Sequence, residues 1–277
     1  MKQNSFSAAG KYLLLSLGAL LILSPLYITI ITPFKTPIEN SASFFSFPES
    51  LFLDNFKTIL FSPRYYQALF NTIYVTVFTL LGSVLVMPMM SYAISRSMKT
   101  QKFYGFVYYF ILMGIFIPFQ VKMMPLAKLM SWLNLLSPTG LILLAIGSAA
   151  CESTFLYVGY FSSIPKEIEE AAYIDGASTQ KTYSAIILPL ITPMISTIMI
   201  KDGLWMWNDF MMPLIVLNRS WKNWTLTLFQ YNFKTEYTTD YGLSFATLVL
   251  SILPIMIFYS FMQKKIISGL TSGSVKS

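Results

Sequence analysis

The chain has 277 residues, 55% of them hydrophobic and 11% charged, with a mean hydropathy of +0.60. Soluble domains carry about 25% charged residues, so this composition excludes a water-soluble fold and points to an integral membrane protein. The +7 charge is scattered rather than patched, histidine is absent, Cys151 is alone and no GxxxxGK[ST] occurs, which excludes nucleic-acid binding, His or thiolate metal sites and an ATP site of the chain's own.

A hydrocarbon core about 30 Å thick needs about 20 apolar residues in helix. Six stretches meet that test: 12–31, 69–94, 103–124, 139–160, 190–217 and 241–262. The first reads as an uncleaved signal anchor, because its apolar run exceeds the roughly 7–15 residues of a signal peptide and no small-x-small site follows. Pro33, Pro37, Pro48 and Pro63 predict an irregular extracytoplasmic loop over 34–66. Arg96, Lys99 and Lys102 crowd the next loop, and they share a side with Lys2, Lys11, Lys264 and Lys265. The positive-inside rule makes that side the cytoplasm and puts both termini there. The opposite side carries Lys35, Lys57, Arg64, Lys128, Arg219, Lys222 and Lys234, so the bias is small. Pro88, Pro118 and Pro254 predict kinks. Lys122 is expected to snorkel to the interface, and Glu152 stands as a lone charge in the fourth span.

The segment 162–189 reads SSIPKEIEEAAYIDGASTQKTYSAIILP. Ser162 or Ser163 can cap a helix, with Pro165 in its first turn and Glu167, Glu169 and Glu170 at the positive end of its dipole. Gly176 can take the left-handed conformation that ends a helix, and Ser178 can cap a second one. The spacing predicts two short helices with a sharp turn, off the bilayer on the cytoplasmic side.

The fifth span carries Lys201, Asp202, Asn208 and Asp209, together with Trp205. Charges in hydrocarbon are costly and mark function. Neighbours such as Lys201 and Asp202 do not face each other on a helix, so each is expected to find a partner elsewhere. These residues either line a solute pathway, where an aromatic face and polar groups suit a sugar, or hold two subunits together. The segment 218–240 holds Trp221, Trp224, Tyr231, Phe233 and Tyr237, which fit an aromatic belt or a surface for an external partner. The Ser- and Gly-rich tail 268–277 reads as a frayed terminus.

Glu170-Ala171-Ala172, then Gly176, then Ile186-x-Leu188-Pro189 resembles the EAA loop of ABC importer permeases, and the run through Asp175 to Ala177 is similar to the carbohydrate-importer version. Pro25-Leu26-Tyr27, Lys35-Thr36-Pro37, Asn71-Thr72, Tyr92 to Arg96, Trp207 to Phe210 and Pro213-Leu214 resemble the MalG-like branch as well. General similarity leans towards multiple-sugar or raffinose-type permeases. The resemblance implies an all-α integral membrane fold of six transmembrane helices, with a MalG-like (MetI-like) permease core and a cytoplasmic coupling helix, in a bacterial plasma membrane. It implies that Glu170 pairs with a basic group of a separate ATPase dimer, that Ala171 and Ala172 allow close approach, and that Gly176 forms the elbow. It further implies a MalF-like second permease subunit, an extracellular sugar-binding protein, an oligosaccharide substrate, and ATP and Mg bound only by the partner ATPase. Alternatives are an ABC permease for another solute such as glycerol phosphate, a secondary transporter with inverted repeats and discontinuous helices, or a membrane enzyme.

Overall fold

The computed structural model describes residues 5–233 and 239–274, so Lys2, Lys234, Tyr237 and the last three residues of the tail lie outside the described residues. Among the described residues every regular element of more than one residue is helical. The chain divides into two compact units.

One unit comprises Met1–Tyr66 and Phe229–Pro254. Its first helix, α1 (Ser5–Ile31), is apolar all round, and the leucines from Leu13 to Leu26 stay exposed. A helix hydrophobic on every side with so little burial presents its surface to lipid. Pro25 lies inside α1 and cannot donate to the carbonyl of Leu21 four residues back, which instead accepts from Ser24 Oγ at 3.1 Å.

The segment after α1 is ordered, not irregular as its prolines suggest. It holds α2 (Pro37–Ala42) and α3 (Asp54–Leu60), and α4 (Pro63–Ser97) begins ahead of the expected residue 69. Pro37 and Pro63 stand at first helical positions, where a missing N–H costs nothing. Thr36 and Glu39 form a reciprocal capping box at α2. Lys35 is fully buried, and its Nζ donates to the carbonyls of Ser43 and Phe44 at 3.1 Å each. Burial pushes the Lys35 ammonium below its usual range, opposed by nearby Glu39. Glu39 accepts from the N–H of Glu49 and of Thr36 at 2.7 Å and from the Thr36 hydroxyl at 2.8 Å, and these bonds hold its carboxyl below the ordinary carboxylate range. Lys35 is therefore a structural strut rather than a loop charge, and Lys57 pairs with Asp54 at 2.8 Å. Two of the cations weighed against the orientation rule thus have local structural partners.

The other unit comprises Gln67–Leu228 and Ile255–Ser277. Here α4 buries Thr72, Thr76, Thr79, Ser83, Ser91 and Ser95. Small hydroxyl residues on one helix face let neighbouring backbones approach closely in a membrane protein. The expected third span is broken: α5 (Lys102–Phe116) and α6 (Phe119–Trp132) meet at a bend of 108°. Pro118 has no N–H for the helix ladder and forces Ile117 to extended geometry (ψ 110°), so the expected kink becomes a break. Ser137 caps α7 (Pro138–Ser162), accepting from Gly140 N at 3.2 Å. A side chain at Gly140 would strike the Leu135 carbonyl, so this turn requires glycine.

After α7 come α8 (Glu167–Ile174), α9 (Thr179–Thr182), a π-turn (Tyr183–Ile187), α10 (Leu188–Leu190), α11 (Thr192–Asn208), α12 (Met211–Leu217), α13 (Leu226–Tyr231) and α14 (Tyr241–Ser274). The expected continuous fifth span of 190–217 is broken twice. The chain bends by 68° around Ile191, where Pro189 and Pro193 each withhold a donor, and it opens again at Asp209–Phe210. Pro213 cannot donate to the Asp209 carbonyl four residues back, and Thr227 Oγ1 takes that acceptor at 2.7 Å. Two apolar clusters hold this unit together. One gathers Val75, Met130, Leu141, Met206 and Met212, and the other gathers Met87, Tyr157, Phe161, Ile187 and Ile198. Helix α14 continues through Ser274, so most of the expected frayed tail is helical.

Among the described residues, three unbroken helical stretches are long and apolar enough to cross a membrane: Gly10–Phe34, Pro63–Ser97 and Pro138–Ser162. The two bent pairs raise the number to five, and the apolar stretch Tyr241–Ile257 of α14 is shorter than a full span.

Candidate coupling elbow and transport cavity

The elbow follows from local chemistry. Ser162 and Ser163 do not cap α8: their hydroxyls donate back to the Val158 and Tyr160 carbonyls and close α7. Helix α8 starts behind Lys166 without a side-chain cap, and its first turn carries three acids against the positive end of its dipole. At its other end Gly176 N–H bonds to Tyr173 O (3.0 Å) and Ala177 N–H to Ala172 O (2.9 Å), with Gly176 at φ +79°. That is a Schellman stop, and it turns on the left-handed residue. Nothing lies within 4 Å of where a Gly176 Cβ would stand, so backbone conformation alone selects glycine. Ser178 then caps α9, accepting from Lys181 N at 3.3 Å.

Glu170, Ala171, Asp175, Gly176 and Pro189 are exposed, Ile186 and Leu188 are half-buried, and Ala172 is buried. Only Ala171 of the alanine pair is left to permit close approach from outside. Tyr173 and Ile174 are exposed beside it, Ile174 by 86%. Glu169 is the acid that turns inward, with 6% exposure. Arg96, at the end of α4, brings Nε and Nη2 to Glu169 Oε1 at 2.6 Å each. The same guanidinium donates to Phe161 O (3.0 Å) and Ile164 O (3.3 Å), and Tyr92 Oη donates to Glu169 Oε2 at 2.7 Å. Arg96 stands in the sequence as a loop charge and as part of the Tyr92-to-Arg96 run; its pairing with Glu169, 73 residues on, has no local signal.

The second feature is a cavity of about 520 Å³ lined by α6, α7, α11 and the break before α12. Lys201, Asp202, Trp205 and Asp209 line it. Asn208 does not: it is exposed, and its Nδ2 bonds back to Leu204 O at 2.8 Å. Lys201 and Asp202 were expected to look apart, but Lys201 Nζ lies 2.9 Å from Asp202 Oδ1. The four-carbon lysine stem bends far enough to overcome the divergence of adjacent Cβ directions. Glu152 is not a lone charge either, for Lys201 Nζ also reaches its Oε2 at 2.8 Å. Asp202 is 1% exposed and accepts from Ser153 Oγ at 3.3 Å. One cation thus bridges two acids on two helices and gives Asp202 the partner that a buried carboxylate requires. Phe119, Gln120 and Lys122 complete the wall, brought there by the Pro118 break. Lys122 therefore lines a cavity rather than simply reaching for the interface.

Residues 90–271 match the family described as "Binding-protein-dependent transport system inner membrane component". The chain belongs to that family. The matched stretch contains the elbow, Arg96 and every residue of the cavity wall. Among its relatives, the "Multiple sugar-binding transport system permease protein MsmG" of Streptococcus mutans is 42% identical over 99% of both chains. The "Probable starch degradation products transport system permease protein AmyC" of Thermoanaerobacterium thermosulfurigenes is 36% identical over 96% of this chain and 97% of its own. The fold matches a chain of a bacterial ABC transporter involved in the import of the acidic polysaccharide alginate, with a TM-score of 0.80 and 22% identity, covering 95% of this chain and 98% of that one. This binding-protein-dependent inner membrane component is accordingly an all-helical permease of the MetI-like type and a transport subunit rather than an enzyme. The broken helices reserved above for a secondary transporter occur here in an ABC permease fold, so helix discontinuity does not separate the two classes.

Proposed function

We propose that this chain is the membrane-spanning permease subunit of an ATP-driven importer of oligosaccharides. The elbow 162–189 seats on a separate ATPase dimer, and the cavity beside α11 forms this subunit's share of the translocation pathway. The observation that carries the reading is the elbow: a short helix ended by a left-handed glycine, whose outer face offers Glu170, Ala171, Tyr173 and Ile174. A carboxylate beside small and apolar groups suits a partner with a basic rim and an apolar floor. The chain works with a second, MalF-like permease subunit and an extracellular sugar-binding protein. It crosses the plasma membrane six times with both termini in the cytoplasm. The family match and the sugar names of its relatives support the substrate class. The cavity adds Trp205 and Phe119 for sugar C–H faces and Gln120, Lys122 and Asp209 for hydroxyls.

The test is co-purification with the neighbouring permease and ATPase, followed by ATPase measurement with the binding protein and maltose, raffinose, melibiose or glycerol phosphate. Stimulation by an oligosaccharide is expected. Stimulation by glycerol phosphate alone replaces the substrate class. Uptake that survives ATP depletion and collapses with an ionophore overturns the reading.

A further inference from the structure

Arg96 sits where three separate segments converge, and nothing in the proposed activity yet uses it. Its guanidinium holds the end of α4, a carbonyl of α7 and one of the link behind it, and the first turn of α8 in one array of four contacts between 2.6 and 3.3 Å. Phe161 O, in the last turn of α7, accepts the Ile164 N–H at 3.1 Å and keeps a second lone pair for the guanidinium, while Ile164 O lies in the link between α7 and α8. The planar fork suits this array because it can meet a carboxylate on one edge and carbonyls on the other. Tyr92, one turn earlier on α4, supplies the remaining Glu169 oxygen with a donor, and its ring packs against Phe161 and Tyr183. Glu167 and Glu170 in the same turn of α8 face outward, so dipole complementation alone does not explain a third, buried acid.

We infer that Arg96, through Glu169 and Tyr92, is the positioning residue that locks the coupling elbow to the second transmembrane helix, so that movement of the elbow is carried into α4 and α7. The inference rests on the coupling reading above. A buried ion pair is poor evidence for net stability, because desolvation offsets much of its attraction. What the pair does supply is fixed geometry between α4 and the junction of α7 with α8. A lever seated on a moving partner transmits force only if its root does not swivel.

The complete transporter, reconstituted with its second permease, ATPase and binding protein, reports the effect as sugar taken up per ATP hydrolysed. Arg96→Ala and Glu169→Gln are each expected to lower that ratio about tenfold, the scale of a buried charge-assisted contact, and the double variant to be no worse than either single one. Arg96→Lys keeps the charge without the fork and falls between. Tyr92→Phe, which removes one hydroxyl, lowers the ratio roughly two- to fivefold. A rivet with only a folding role lowers yield and thermal midpoint but leaves uptake per ATP unchanged in the complexes that survive, and that result overturns the inference. Where Arg96→Ala cannot be purified, Arg96→Lys and Tyr92→Phe decide. Gly176→Val in parallel separates the two levels. Uncoupling by Gly176→Val with normal Arg96 variants sinks the clasp alone, whereas full coupling in all of them sinks the elbow reading.

Discussion

The elbow and the cavity occupy neighbouring stretches of one polypeptide, yet different forces shape them. From Glu167 to Lys181 the elbow is written in short-range terms: acids in a first turn, a left-handed glycine, a serine cap. The cavity is written in long-range terms: a lysine of α11 between an acid of α7 and its own neighbour, and a wall delivered by the distant break at Pro118. Local chemistry suits a rigid part that must present the same face to a partner. Cross-helix charges suit a part whose helices move relative to one another while their charges stay compensated.

The difference is sharpest at Gly176. A β-branched residue at φ +79° carries a left-handed penalty of about 1–2 kcal/mol that no neighbour relieves. Gly176→Val is therefore expected to cut uptake about tenfold or more with insertion intact, whereas Gly176→Asn, which tolerates that region, retains most of it. Equal uptake by both variants would break the claim that backbone conformation governs the elbow. Lys201→Met probes the cavity in the opposite way, by stranding Glu152 and Asp202. Removing one partner of a buried pair costs about 3–5 kcal/mol, and the one-third exposure of Lys201 reduces this to about 2 kcal/mol of stability, read by thermal unfolding. Glu152→Gln should cost far less, since that side chain is 56% exposed.

Trp205→Ala tests whether the cavity touches sugar. Half-maximal ATPase stimulation should need roughly three- to tenfold more oligosaccharide, with the thermal midpoint nearly unchanged because the ring is part-exposed. No shift would leave the cavity as a subunit-holding feature. The smallest effect is expected at the cap of α2. The bonds from Glu49, Thr36 N–H and the Thr36 hydroxyl favour the charged form of Glu39 in the folded state only. Their stabilisation is complete above the ordinary carboxylate range and is lost as pH falls through the lowered folded value. Amide protection factors over residues 36–49, taken relative to the intrinsic exchange rate at each pH, should therefore fall on acidification, and Glu39→Gln should abolish that dependence.

The legibility of each region follows the range of its interactions. Local capping chemistry placed the sharp turn, its glycine and the second cap, because a helix stop is decided within five residues. It misassigned Ser162 and Ser163, since a hydroxyl at a helix junction can serve the helix behind it as readily as the one ahead. The fifth span was legible as an apolar stretch but not as a broken one. Pro213 removes a donor, and whether the helix opens depends on Thr227 being at hand to take the Asp209 carbonyl. Asn208 was grouped with its charged neighbours on helical spacing, and the break at Asp209 lies directly beside it.

By itself the sequence determined the solvent, the helical class, the family and the elbow, because hydropathy and short-range hydrogen bonding are properties of neighbouring residues. Only the tertiary structure decided that Lys201 serves two acids, that Lys35 is a strut, and that Arg96 clasps Glu169. A charge inside a membrane protein must find compensation, but which helix provides it is settled by how the helices pack, and packing has no short-range signature.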